Sequence, residues 1–263
     1  MDKTDIVKTA HAVADAAREA VLPFFRMAGL TADNKLPDGR FDPVTEGDRA
    51  AERAMRAALA QLRPQDGILG EEYGAVAGTS GLTWVLDPID GTRAFMSGAP
   101  TWGVLIAVAD ETGPLYGIID QPYIGERFEG GWGAARMTGP MGARDLRVMG
   151  ARPLSEAIVF TTFPELGSPA EAAGFAEVSG HAKLTRYGLD CYAYSLVAAG
   201  HVDLVIEAGL AAYDIQAPIA VIEAAGGIVT DWQGGPAHQG GRAIAAAGRM
   251  QHEAALEILS KVV

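Results

Sequence analysis

Cysteine is almost missing from this chain: Cys191 is the only one in 263 residues. A single thiol excludes an intramolecular disulfide, fits a reducing compartment and, with no evident base beside it, is expected to pack rather than react. Long apolar runs are missing too. No segment approaches the roughly 20 apolar residues needed to span a bilayer. The start, Met1-Asp-Lys-Thr-Asp5, has neither the cationic stretch nor the apolar core of a signal peptide. A cytoplasmic protein without membrane association is therefore expected. Imidazole is scarce: His11, His181, His201, His238 and His252 show no ligand spacing and read as surface or packing residues. Positive charge is also short, 21 Lys and Arg against 33 Asp and Glu for a net charge of −12. That balance argues against direct nucleic-acid binding, which depends on basic patches. The remaining composition, 49% hydrophobic and 21% charged, is that of an ordinary globular protein with one or two subdomains.

What the chain does have is carboxylates where strands should end. In Trp84-Val-Leu-Asp-Pro-Ile-Asp-Gly-Thr92, the apolar pair Val85 and Leu86 reads as buried strand. Pro88 then removes a ladder donor, so the strand should stop where Asp87 and Asp90 begin. Gly91 permits close backbone approach, and a short helix beginning at Thr92 would aim free amides at an anion. A second apolar run, Ile68-Leu-Gly-Glu-Glu-Tyr73, ends in Glu71 and Glu72. Adjacent strand-end acids point in different directions, and Glu72 is expected to be solvated or salt-bridged rather than a ligand. A third element, Gly209-Leu-Ala-Ala-Tyr-Asp214, leads into an apolar helical stretch over 215–225, with Asp214 where an N-cap belongs. Oxygen ligands of this kind favour magnesium over zinc.

Periodicity organises the rest. Ile6, Ala10, Val13, Ala14, Ala17, Val21 and Phe25 predict a long amphipathic helix from Thr4 to about Met27 with a late kink at Pro23. Asp33 to Pro43 reads as a loop, and Thr45 as the N-cap of a helix to about Leu62, with Asp48 completing a capping-box variant. Strands at 104–108, 115–119 and 126–130 with short connections predict an antiparallel meander. Beyond Gly139, strands at 157–161, 202–207 and 227–230 alternate with helices at 169–178, 191–199 and 215–225, an α/β pattern. Trp102 reads as a strand-edge anchor and Asp231-Trp-Gln-Gly234 as a hairpin turn.

The order Gly-Glu-Glu, Asp-Pro-Ile-Asp-Gly-Thr, then Tyr-Asp before a helix ending in Ala-Gly-Gly resembles the inositol monophosphatase superfamily of magnesium-dependent, lithium-sensitive phosphatases, over nearly the whole chain. Five stretches resemble its histidinol-phosphate phosphatase branch: Phe41-Asp-Pro-Val-Thr-Glu-Gly-Asp-Arg49, Asp90-Gly-Thr-Arg-Ala-Phe95, Pro100-Thr-Trp-Gly103, Gly117-Ile-Ile-Asp-Gln-Pro122 and Gly125-Glu-Arg-Phe128. Gln216 and Pro218 depart from the family, which more usually has small or apolar residues there, and Pro218 is expected to cost a first-turn hydrogen bond near Asp214.

The resemblance implies a layered α-β-α-β-α sandwich of the inositol monophosphatase/fructose bisphosphatase type. Residues 1–146 would form an α+β part with most metal ligands, and 147–263 an α/β part with Asp214 and the substrate side. It also implies two or three Mg2+ ions, with Asp87 bridging two, Glu71 and the Ile89 carbonyl completing one, Asp90 and Asp214 the other, and a third, weaker ion at Glu71. Asp48 and Thr92 match the family's water-activating pair, and the Gly91 and Thr92 amides its phosphate site. Such ions would reverse the local sign of an acidic protein toward phosphate. Asp190 and Glu207 align near the alcohol side of the pocket, where paired acids favour the ammonium and imidazole of L-histidinol phosphate over a neutral polyol. Asp190 equally suits capping of the helix at Cys191, and Arg93 suits substrate, a nearby acid or a subunit contact. The expected protein is a homodimeric phosphomonoesterase acting on a small phosphorylated substrate. The alternatives are an inositol-1-monophosphatase, a broad sugar or nucleotide phosphatase, and, without catalysis, a partner in RNA transcription or processing complexes.

Overall fold

The computed structural model describes residues 2–34 and 43–262. Helix α1 (Lys3–Val21) starts at the Asp2 cap, whose side chain accepts from Thr4 N. It stops earlier than the periodicity predicts: Pro23 has no N–H to continue the ladder, and Leu22–Phe24 tightens into a 3-10 turn. The ends of the expected loop pair as β1 (Ala32–Asn34) and β2 (Pro43–Thr45), while its centre, with Phe41 and Asp42 of the motif, lies outside the described residues. Helix α2 (Glu46–Leu62) begins at Thr45 as expected.

Next come β3 (Gly67–Gly70), β4 (Gly74–Val76), β5 (Thr83–Asp90), the short α3 (Thr92–Ser97), β6 (Gly103–Asp110), β7 (Gly113–Gln121), β8 (Glu126–Gly131), β9 (Ala134–Gly139) and β10 (Gly142–Asp145). The expected three-strand meander is thus the middle of an eight-stranded sheet, ordered β10-β9-β8-β7-β6-β5-β3-β4. The chain continues through β11 (Ile158–Thr161), α4 (Pro169–His181), β12 (Leu184–Tyr187), α5 (Cys191–Ala198), β13 (Leu204–Leu210), α6 (Ala212–Ala224), β14 (Ile228–Thr230), β15 (Gly241–Ala246) and α7 (Arg249–Leu259). Its strands form a five-stranded sheet, β12-β11-β13-β15-β14, in which β11 pairs in parallel with both neighbours.

Strand alternation decides the layering. Trp84, Leu86, Val104, Ile106 and Val108 pack with the apolar stripes of α1 and α2. Val85, Leu105, Ala107 and Ile119 point the other way, into a core shared with α5, α6 and Val205 and Ala245 of the second sheet. The outer face of that sheet, with Val159, Leu204, Ile206 and Ile244, is covered by Phe175 and Val178 of α4 and Ala255 and Leu259 of α7. The result is the expected α-β-α-β-α sandwich. Glycines let α6 sit unusually close: a Cβ on Gly117 or Gly130 would lie 2.7 Å from backbone atoms of Ala217 and Val221 respectively. That contact carries the start of α6 to the mouth of β5. Trp102 is buried at the entry to β6, with its ring 4.8 Å from Phe95 and 5.2 Å from Phe25.

Candidate active site

The site begins where β5 loses register. Pairing with β6 shifts between Asp87 and Asp90, around Pro88, and Ile89 N donates back to Asp87 Oδ1 at 3.0 Å. Gly91 then adopts φ 86°, ψ 43°, a left-handed conformation that suits glycine, and α3 follows at once. A Cβ on Gly91 would lie 2.8 Å from Cγ of Asp190, so glycine is required by both the turn and the neighbouring carboxylate.

Glu71 follows β3 and is held by its backbone, Glu71 N donating to Leu86 O at 3.2 Å. Its turn is clamped by Glu52, a fully buried acid on α2 that accepts from Glu72 N at 2.7 Å and Tyr73 N at 3.2 Å while pairing with Arg56 at 2.7 Å. Glu52 was not legible as a positioning residue; the one signal was Gly70, whose replacement would drive a Cβ into the Glu52 carboxylate.

Asp214 is not the N-cap expected from the sequence. Helix α6 starts three residues earlier, at Ala211, and Asp214 is its third helical residue, reaching back to accept Ala211 N at 2.7 Å. Alanine offers no capping oxygen, so the acid in the first turn takes one orphan donor instead. Pro218 consequently falls at the seventh residue of α6 rather than in its first turn, and Gln216 anchors the helix through Nε2 to His238 O at 2.9 Å.

These elements bring oxygens of Asp87, Asp90 and Asp214 within 4.8 Å of one another. They line one cavity of about 350 Å³ together with Glu71, Ile89, Gly91, Thr92, Arg93 and Asp190. Burial and then the charges of Glu71, Asp90 and Asp214 push the Asp87 carboxyl well above the usual range. Burial, then Asp190 and Asp214, do the same to Asp90 despite the 2.6 Å bond from Cys191 N. Buried Asp87 and half-buried Asp90 and Asp214, facing one another, are a donor set that a hard divalent cation fits, because it offsets all of these charges at once.

Asp48 lies behind this cavity rather than in its lining. The expected capping box is present: Asp48 Oδ2 accepts from Thr45 N at 2.7 Å and Thr45 Oγ1 at 2.6 Å. The other oxygen, Oδ1, faces Thr92 Oγ1 at 3.4 Å, and that hydroxyl also reaches Ile89 O at 3.1 Å. Burial pushes the Asp48 carboxyl up to about 6 against the two Thr45 bonds.

A second cavity of about 200 Å³ adjoins the first and shares Asp90, Asp190, Asp214 and Phe163 with it. Glu207 opens onto this one. It is buried, accepts Thr162 N at 2.6 Å and Thr162 Oγ1 at 2.9 Å, and burial still raises its carboxyl to about 7. Asp190 precedes α5 but makes no side-chain cap there; its backbone is strained at φ 47°, ψ −140°. Burial raises the Asp190 carboxyl to about 6, opposed by the Arg93 charge and by Thr101. The Arg93 guanidinium lines the first cavity and sits 5.0 Å from the centre of the Phe163 ring, which lines both. The motifs at 100–103, 117–122 and 125–128 support this wall from behind. Gln121 Nε2 donates to Pro100 O and Trp102 O, and Tyr192 on α5 donates to Glu126 at 2.6 Å.

Residues 2–263 match the inositol monophosphatase family. A histidinol-phosphatase from Streptomyces coelicolor is 36% identical over 263 residues, covering 96% of each chain. The chloroplastic bifunctional phosphatase IMPL2 of Arabidopsis thaliana is 41% identical over 85% of this chain, which spans 63% of that longer protein. Among solved structures, an inositol monophosphatase from Zymomonas mobilis superimposes with a TM-score of 0.86 at 39% identity, covering 99% of both chains. The chain therefore belongs to the inositol monophosphatase family, metal-dependent phosphatases that hydrolyse phosphomonoesters.

Proposed function

We propose that this enzyme is a magnesium-dependent phosphatase whose substrate is L-histidinol phosphate. The observation that carries the reading is a pair of acids beside the carboxylate cluster, half-buried Asp190 on the wall shared by the two cavities and buried Glu207 in the second. An alcohol bearing an ammonium and an imidazole gains from such acids; a neutral polyol does not. The likeness to a histidinol-phosphatase along the full chain supports the same reading.

In this account Glu71, Asp87, Asp90, Asp214 and the Ile89 carbonyl would hold two or three Mg2+ ions. Held there, such ions would supply charge neutralisation for the phosphate and the leaving alkoxide and a lowered pKa for water. The protein's own groups do the rest. Thr92 Oγ1 orients the attacking water, and Asp48, ionised at neutral pH with its carboxyl near 6, receives the proton through that hydroxyl. Amides of Gly91 and Thr92 bind phosphate oxygens. Arg93, over the Phe163 ring, offsets part of the charge of Asp190.

A second reading, inositol-1-phosphate hydrolysis, is favoured by the 39% identity to the Zymomonas mobilis enzyme. Steady-state assays with magnesium separate the two: kcat/KM should be higher for histidinol phosphate than for inositol 1-phosphate, and the reverse order overturns the substrate assignment while leaving the family intact. A cytoplasmic homodimer belongs to the same proposal; among the described residues no helix is long and apolar enough to cross a membrane.

A further inference from the structure

The cavity beside the carboxylate cluster contains a group that neither the metal ligands nor the phosphate turn uses. Tyr194, on α5, lines that cavity and is buried to within 4% of full enclosure, yet its hydroxyl has no hydrogen-bond partner among the described residues. A phenol held this way costs folding free energy, because its lost bonds to water are not replaced. Phenylalanine would fill the same space without that cost. Apart from burial, the charges that act most strongly on the hydroxyl are those of Glu207, then Asp90 and Asp214, which puts it at the acidic end of the cavity. Thr162 holds Glu207 Oε1 through both its amide and its hydroxyl, so the carboxylate is anchored where it lines the cavity.

We propose that Tyr194 is a specificity-determining residue whose hydroxyl donates to the unprotonated ring nitrogen of the leaving alcohol, while Glu207 accepts from the ring N–H. A neutral imidazole presents one acceptor and one donor, and a phenol beside a carboxylate presents the complementary pair. This rests on the reading of the site as a phosphatase for an alcohol with a nitrogen heterocycle, and it adds the group that reads the ring. It also makes the orphaned hydroxyl intelligible, since its partner arrives with substrate.

Tyr194→Phe tests the idea because it removes one oxygen and leaves the packing. With the magnesium-loaded enzyme, the ratio of kcat/KM for histidinol phosphate to that for glycerol 2-phosphate should fall about tenfold, the scale of a lost hydrogen bond to a polar ligand. Tm of the free variant should equal or exceed that of the parent, and calorimetry should show weaker binding of L-histidinol. A parent enzyme with no preference for histidinol phosphate would sink the functional reading and this inference with it. A parent with that preference and a variant that keeps the full ratio would sink the inference alone. A lower Tm with both substrates slowed equally would assign Tyr194 to packing and also overturn it.

Discussion

Two groups of buried acids in this molecule have opposite surroundings. Asp120, with no exposure, sits between Arg18 at 2.6 Å and Arg127 at 2.6 Å, and Arg127 reaches on to Asp15 at 2.8 Å. Asp66 is similarly met by Arg63 and Trp84 Nε1, and although burial works against it, those bonds hold its carboxyl below the usual value. Asp87, equally enclosed, faces Glu71, Asp90 and Asp214, and its carboxyl is driven the other way. The first arrangement is finished when the chain folds. The second is complementary to a positive charge, and that contrast of sign separates these scaffold acids from those of the site.

Replacing acids in each group should therefore have different consequences. The largest effect is expected for Asp120→Asn, which leaves two guanidinium groups facing a neutral amide: stability should fall by about 3 kcal/mol, measured by denaturant unfolding, with kcat of the folded fraction little changed. Asp87→Asn should do the reverse, lowering kcat at least about a hundredfold while raising the Tm of the metal-free protein by removing one of several like charges. Near-normal turnover would end the proposed role of Asp87.

Glu207 sharpens the comparison through pH. Its folded-state carboxyl lies near 7, above the ordinary 4.5, so the folded protein binds more protons between those values. Its contribution to stability is complete below 4.5 and is lost as pH rises to 7. Glu207→Gln keeps an acceptor for Thr162 and should flatten that part of the stability profile, gaining on the order of 2 kcal/mol relative to the parent above pH 7. The smallest effect is catalytic: with Asp48 as the proton acceptor and its carboxyl near 6, kcat/KM should decline about tenfold per pH unit below that value. A limb that begins only near pH 4 would remove Asp48 from that role.

Much of this was readable from residue order, for physical reasons. Asp87 and Asp90 stand out because Pro88 and Gly91 interrupt an apolar strand, a local signal that needs no knowledge of the fold. The Thr45–Asp48 capping box is equally local, though its second oxygen aimed at Thr92 is not. Asp214 was misplaced by three positions because Ala211 and Ala212 carry no capping side chain to mark the helix start. Of the outer strands, β10 exposes every side chain and so carries no alternation to read, and β9 alternates only between exposed and half-buried positions, a contrast too weak to mark it in Ala-Ala-Arg-Met-Thr-Gly. Glu52 and Tyr194 sit within helices whose periodicity marks them only as inward-facing. The role of Glu52 comes from the Glu72 and Tyr73 amides that cross over to meet it, which periodicity does not show.

The most direct test of the account is where divalent ions bind. Crystals soaked in Mn2+, used in place of Mg2+ for its anomalous signal, should show peaks at coordinating distance, about 2 Å, from oxygens of Asp87, Asp90 and Asp214. Strong peaks elsewhere, with these three carboxylates left without an ion, would contradict it.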